Sequence, residues 1–380
     1  MLKFGNTYLN FGGSYLSGYK VPTYNVILQQ SEGGIIGASP LTGSRNTEVT
    51  LSNTPSQDYV FNGYELSGAN LYDTNKFKFV DSDVTAMAKW SYEWPDPNPL
   101  NLPTNTMRVR CYPGSEISSS NSKFQVTKVG TEGDCSIYDI TTTANSWGSL
   151  SRYIKIATVG TSEGGVSDIL GVNNSAITSV YSMFEGRMAQ PWNYAFFSLS
   201  SICYFDMSNV TNGYHWFSTS DTYKLTSFPV YNTSSVTSFQ GAFNQSRVTQ
   251  PITLDCRSCT NLSYAFNAQE GIRTDFPNLK NTYNVTDWSN AFSRFANTAT
   301  LKNSQLVIPD YDFSNATNVT EMFAFNPYVS GGISSTYAKL SALGNQITSP
   351  WRCFSGCGVS SEQGRAELAL IPTAWGGTLV

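Results

Sequence analysis

Few side chains in this sequence could do chemistry, and their spacing favours no reaction. His215, in the run YHWF, is the only histidine, so neither a two-histidine metal site nor a histidine relay can be assembled. A packing or surface role is expected for it. Cys256 and Cys259 form a lone C-x-x-C, and no second cysteine pair completes the four ligands of a structural zinc. Cys353 and Cys357 stand close enough in sequence for a disulfide. The seven cysteines are an odd number with no regular framework, so mostly free, buried thiols are expected. Glycan cleavage would need two acids converging in one cleft, whereas Asp206, Asp255 and Asp312 recur one per repeat. Phosphate-cradling loops and nucleophile elbows are missing from the sequence. The expectation is a non-enzymatic protein with no catalytic residues, cofactor or metal.

What the second half repeats is architecture. Seven segments align on a phenylalanine, at Phe184, Phe217, Phe243, Phe266, Phe292, Phe323 and Phe354, in steps of 33, 26, 23, 26, 31 and 31 residues. Six residues before each phenylalanine stands a threonine: Thr178, Thr211, Thr237, Thr260, Thr286, Thr317 and Thr348. Seven before it the residue is small or β-branched and apolar, and another apolar residue usually follows three later. Offsets of seven, four and zero mark one face of a helix. Five before it come Ser179, Asn212, Ser238, Asn261, Asp287, Asn318 or Ser349, side chains that accept a hydrogen bond from the first N–H groups of a helix. Pro350 then suits a first helical position. Upstream, short β-type runs end on a polar residue eleven before the phenylalanine: Asn173, Asp206, Asn232, Asp255, Asn281 and Asp312. Each unit therefore reads as strand, Asx turn and short helix, too small to bury both faces without stacked neighbours.

The units DMSNVTNGYHWF, DFSNATNVTEMF and LDCRSCTNLSYAF resemble the BspA-type leucine-rich repeat of bacterial surface proteins, which reads roughly D-x-S-N-V-T-x-M-x-x-M-F. Gly213 in an apolar column, the longer steps and the scarcity of leucine depart from that pattern. The resemblance covers about residues 165–358 and implies a leucine-rich-repeat-like solenoid of about seven repeats, expected over residues 151–358.

Earlier in the chain, residues 21–93 alternate apolar and polar positions between turn signals, as in TEVTLSNTP, YVFNGYELSG and VTAMAKW, which predicts an antiparallel β-domain. This stretch resembles the small β-repeat of Listeria and Bacteroides surface proteins related to the internalin B-repeat, which implies a spacer. The proline-rich run at 94–105 reads as a linker. Residues 106–150 read as a β-hairpin cap, formed by MRVRCYPG and SKFQVTKVG, with Thr141 and Trp147 echoing the threonine and phenylalanine columns. The tail at 359–380, with one short helix and a tryptophan, caps the far end. Residues 1–20 carry a tandem echo, GNTYL and GGSYL, and read as a hairpin or anchoring arm. The fold class expected is α+β: an antiparallel β-domain followed by a strand-turn-helix solenoid.

Charged residues make up only 13% of the chain and the net charge is -4, so the basic stripe of a nucleic-acid binder is absent. The sequence holds no apolar run of membrane-spanning length. Function then falls to the surface, where Tyr181, Tyr214, Tyr264 and Trp351, with Trp192 and Tyr194 in the first long insertion, are candidate contacts for a host protein or glycan. The first residues lack the apolar core of a secretory signal. Together with the surface-module resemblance, that points to a bacteriophage virion protein: a capsid decoration, head fibre or tail fibre. It would be made in the host cytoplasm, held to other virion proteins by the arm and displayed outside, as a single chain or a homo-oligomer. A bacterial cell-surface adhesin is the alternative reading, and a glycan depolymerase the next.

Overall fold

In the computed structural model the chain is described at residues 2–4, 7–9, 21–31, 33–56, 58–158, 164–186, 195–196, 198–218, 225, 228–248, 251–268, 275–295 and 306–378. It divides into two compact units, Met1–Pro95 and Asp96–Val380. Strand and turn dominate both, with mixed sheets and short helices.

The first unit opens with an antiparallel pair, β1 (Leu2–Phe4) and β2 (Thr7–Leu9); the rest of the proposed arm, including the second half of the echo, lies outside the described residues. Then follow β3 (Tyr24–Gln29), β4 (Gly34–Ser39), β5 (Thr42–Gly43), β6 (Glu48–Pro55), β7 (Tyr59–Ser67), β8 (Lys76–Lys78) and β9 (Val84–Tyr92). They make two sheets, in the orders β5-β3-β9-β7 and β4-β6-β8. Period-two alternation sends Val49 and Leu51 of β6 inward with Val26, Ile36, Phe77, Val84 and Ala86 to form one core. The sheets are not purely antiparallel. β3 and β9 run parallel, from Val26 opposite Val84 to Gln29 opposite Met87, which is possible because the long excursion through β4 to β8 is the crossover that parallel pairing requires.

The second unit begins on a five-stranded sheet. Its strands are β10 (Thr106–Cys111), β12 (Phe124–Glu132), β13 (Cys135–Thr142), β15 (Val166–Asn173) and β16 (Ser201–Ile202), in the order β12-β13-β10-β15-β16. A side pair joins β11 (Glu116–Ser119) to β14 (Ile154–Thr158), next to the one-turn helix α1 (Leu150–Tyr153). Two corrections follow. MRVRC and FQVTKVG do not pair as a hairpin, since β13 lies between them; its run SIYDITT is buried at five of seven positions. Residues 96–105 group with this unit rather than hanging between units, because Leu102 is buried and its carbonyl accepts a hydrogen bond from the Asn173 amide.

From Ser146 onward the chain winds into successive coils. One residue of each makes a parallel bridge to the next, in the series Ser146, Ser179, Asn212, Ser238, Asn261, Asp287, Asn318, Ser349. Short parallel pairs, β17 (Thr253–Asp255) with β18 (Asn278–Lys280) and β19 (Leu306–Val307) with β20 (Val329–Gly331), extend the contact between some coils. The helices α2 (Ile333–Ala342) and α3 (Glu362–Leu368) lie at the C-terminal end. There the Glu367 carboxylate accepts the free Ile333 and Ser334 N–H groups at the start of α2.

The helix expected in each repeat does not form. Two residues before each phenylalanine the backbone is left-handed: Ser182, His215, Tyr264, Asn290, Glu321 and Arg352 have φ between 49° and 56°, and Gly241 has 62°. That turn points the N–H out of the coil. His215 N–H donates to the Gln240 carbonyl and Tyr264 N–H to that of Ser289, whereas a helix would spend these donors within its own segment. Alternate donors stay local, as where Met183 N–H meets the Val180 carbonyl. The left-handed residues cost about 1–2 kcal/mol each, and the bonds between coils, about 1 kcal/mol each, offset this. Cap-type side chains are present all the same. Ser179, Asn212, Ser238, Asn261, Asp287 and Asn318 each accept the N–H two residues ahead, as Asx and Ser/Thr turns do. Register also shifts at the first coil. Asn145, not Thr141, takes the threonine place, and Trp147 aligns with Val180 rather than with the phenylalanines, since its N–H donates to the Ser179 carbonyl as that of Val180 does to Asn212.

Candidate functional site

Two columns hold the coils together, one of threonines at the surface and one of buried phenylalanines. The threonine N–H and hydroxyl both donate to the carbonyl of the threonine one coil back, in an unbroken file from Thr211 to Thr348, and Thr178 does the same to Asn145. The phenylalanine rings pile face to face from Phe217 to Phe354, with centroids 5.2–5.9 Å apart and planes within 10°. Phe184 continues the file to Phe217 at 4.8 Å with a 31° tilt. All seven are buried. These fourteen residues are scaffold, and they set the spacing of whatever the coils display outside.

Outside, the threonines, the bridge column and the residues three before each phenylalanine share one face, except for Ser263, which is buried. On it the rings of Tyr181 and Tyr214 stack at 5.2 Å and 14°, close to the separation of paired strands. With Thr211, Asn212, Thr237 and Ser238 they line a shallow depression of about 510 Å³. Its rim carries hydroxyls and an amide but no charge. Behind it His215 stacks on Tyr214 at 4.1 Å and 1°, and its Nδ1 lies 3.5 Å from Glu185 Oε1. Gly241 makes room for the imidazole: a Cβ there would sit 2.4 Å from His215 Cδ2. Burial pushes the Glu185 carboxyl up, but His215, Ser182 and Arg152 more than offset it, so it stays below the usual carboxylate value. The sequence reading missed this contact because His215 and Glu185 are 30 residues apart in the chain, and only the coil spacing makes them neighbours.

The structure therefore brings Tyr181 and Tyr214 together and leaves the other candidates apart. Tyr264 is 45% exposed, but it occupies the left-handed column, one place out of register with Tyr214. Trp351 is 56% exposed and shares the tyrosine column in the last coil. Trp192 and Tyr194 lie outside the described residues. Phe196 from the same insertion packs inward against Phe184, 5.4 Å away.

All seven cysteines are free thiols, Cys353 and Cys357 included, and five are buried. Among the described residues no group of three or more His, Cys, Asp or Glu could hold a metal ion. No helix among them is long and apolar enough to cross a membrane.

No curated protein and no solved structure matches the chain. Its similarity to known sequences falls on the coils: residues 178–302, and again residues 216–335, match the family described as "Mycoplasma protein of unknown function, DUF285".

Proposed function

We propose that the protein is a non-enzymatic adhesive surface protein, that its coils work as a leucine-rich-repeat-like solenoid of the BspA type, and that the uncharged face around Tyr181 and Tyr214 meets a host-surface glycan or protein. The stacked tyrosine pair above the depression carries this reading. The stacked pair offers an apolar patch, and Thr211, Asn212, Thr237 and Ser238 beside it supply the donors and acceptors that fix the orientation of a polyhydroxylated ligand. Rings already stacked lose little side-chain freedom on binding. The setting we propose is the exterior of a bacteriophage virion, with residues 1–20 holding the chain to other virion proteins. A bacterial cell surface is the second setting, and the match to a mycoplasma family favours it.

The test is binding of the whole chain to host cells and to a glycan array, with Tyr181→Ala and Tyr214→Ala beside Tyr72→Ala in the first unit as control. Loss of about tenfold or more in affinity is expected for the first two and none for the third, in line with the dominance of central aromatic contacts. Equal binding by all three would overturn the assignment. Incubation with host capsule should release no reducing sugar; release would replace adhesion with depolymerisation. Deleting residues 1–20 should abolish incorporation into the particle, and full occupancy by the truncated chain would move the anchor elsewhere.

A further inference from the structure

A second surface feature lies at the C-terminal end of the coils. Arg294 is exposed, and its guanidinium lies 5.3 Å from the centre of the Phe325 ring. Arg352 lies 5.2 Å from the same ring and 5.0 Å from that of Trp351. The left-handed columns create this meeting: Arg294, Phe325 and Arg352 have φ of 59°, 59° and 54°, and Arg294 N–H donates to the Ala324 carbonyl beside Phe325. Two cations here face one anion. Glu321 Oε1 lies 3.5 Å from Arg352 Nη1, while Arg294 has no carboxylate partner among the described residues. A guanidinium held against an aromatic face keeps its in-plane N–H edge free, and that edge matches a carboxylate in bidentate fashion. In a chain of net charge -4 with 13% charged residues, a local positive excess beside a half-exposed tryptophan has few structural uses.

We infer that Arg294, Phe325, Arg352 and Trp351 form a subsite for an acidic sugar chain, with a sugar carboxylate on the Arg294 guanidinium and Trp351 as the apolar contact further along the chain. This deepens the adhesive reading by naming a ligand class, but it uses different residues from the tyrosine pair, so the two can fail separately.

The experiment is calorimetric titration of the full-length protein with oligoglucuronate and with a neutral glucose oligomer of the same length, at low and moderate salt. Oligoglucuronate should bind, and more weakly as salt screens the exposed guanidinium. Arg294→Gln should lose roughly tenfold or more of that affinity, the scale of a charge-assisted pair, and Arg294→Lys, which keeps charge but not the fork, should recover only part of it. Tyr72→Ala in the first unit should leave it unchanged. The subsite is overturned if oligoglucuronate fails to bind the parent, if the neutral oligomer binds equally well, or if Arg294→Gln binds as the parent does at an unchanged melting temperature. Equal binding of oligoglucuronate and a single-stranded DNA carrying the same number of charges would also overturn it, replacing sugar recognition with bare charge. If oligoglucuronate fails while Tyr214→Ala still abolishes host binding, the adhesive reading stands and only this subsite falls.

Discussion

The carbonyl of Thr211 accepts two hydrogen bonds from one residue, Thr237: its N–H at 2.9 Å and its hydroxyl at 3.0 Å. A backbone carbonyl has two lone pairs, and the threonine column fills both at each junction without recruiting another side chain. Serine would offer the same hydroxyl, but the methyl group restricts χ1, so the donor is pre-aimed. Thr237→Val keeps shape and N–H and loses only the hydroxyl. It should cost about 0.5–1 kcal/mol, the low end for one hydrogen bond at an exposed position. Adding Ser238→Ala removes the acceptor for the Gln240 N–H and should bring the loss to roughly 1–2 kcal/mol. Denaturant unfolding of the single and double variants checks this; parent-like midpoints for both would refute the column.

Phe266 sits in the middle of the ring file, 5.4 Å from Phe243 and 5.7 Å from Phe292, and is fully buried. Phe266→Ala should cost about 3–5 kcal/mol, because the flanking coils are pinned by their backbone bonds and cannot collapse into the gap. Phe266→Leu should recover more than half of that loss. Thermal melts of the two variants decide, and near-equal melting points would mean that the cavity closes.

Columns that answer to side-chain packing were legible in the sequence; those that answer to backbone direction were not. Thr237 and Phe266 stand out because each repeats the same chemistry at the same offset. The left-handed column was invisible, for its members, Ser182, His215, Gly241, Tyr264, Asn290, Glu321 and Arg352, share no side-chain property. The apolar offsets of seven, four and zero imitate a helix since both a helix and a tight coil return to the interior every three or four residues. Stacking of Tyr181 on Tyr214 could be anticipated once the register was known, both standing three before a phenylalanine. The Arg294–Phe325–Arg352 contact could not, because it joins three coils through residues at different offsets.

Pro350 closes the file. At four before the phenylalanine, Val180, Gly213, Phe239, Leu262, Trp288 and Val319 all donate their N–H to the next coil, and in the last coil a proline has none to donate. The Phe354 N–H, which would also face outward, is taken by the Trp375 carbonyl of the tail. An open ladder edge is a template for pairing with another chain. Pro350→Ala should therefore increase concentration-dependent self-association, measured by sedimentation velocity. An association profile identical to that of the parent would show that the tail alone seals the edge.

Acid should weaken the second unit through Asp168. Burial pushes its carboxyl up, yet hydrogen bonds from Arg110, Ser201 and Ser167 more than offset this and leave its pKa below the ordinary value. A carboxyl depressed in the folded state binds protons more readily when unfolded. Its stabilisation is present above the unfolded value, about 4, and is lost as pH falls through the folded one. Glu185, Asp255 and Glu367 shift in the same direction. Melting temperature should fall steadily from pH 5 to about 2, and Asp168→Asn should flatten that fall while lowering stability at pH 7. An equally steep acid limb in the variant would remove Asp168 from the account.

Asn290 separates the turn from the helix most cleanly. Its φ is 55° and its N–H donates to the Thr320 carbonyl at 2.8 Å. In a helix, alanine at this position would be more stable than glycine by about 1 kcal/mol. In a left-handed turn the order reverses, since glycine adopts positive φ without the Cβ clash that costs other residues about 1–2 kcal/mol. Asparagine lies between them, its short polar side chain tolerating this conformation better than most. The expected order is Asn290→Gly equal to or above the parent, then Asn290→Ala roughly 1 kcal/mol below, then Asn290→Val lower still because branching at Cβ adds crowding. Chemical denaturation of the three variants measures the order directly. Alanine above glycine would restore the helix that the apolar spacing predicts.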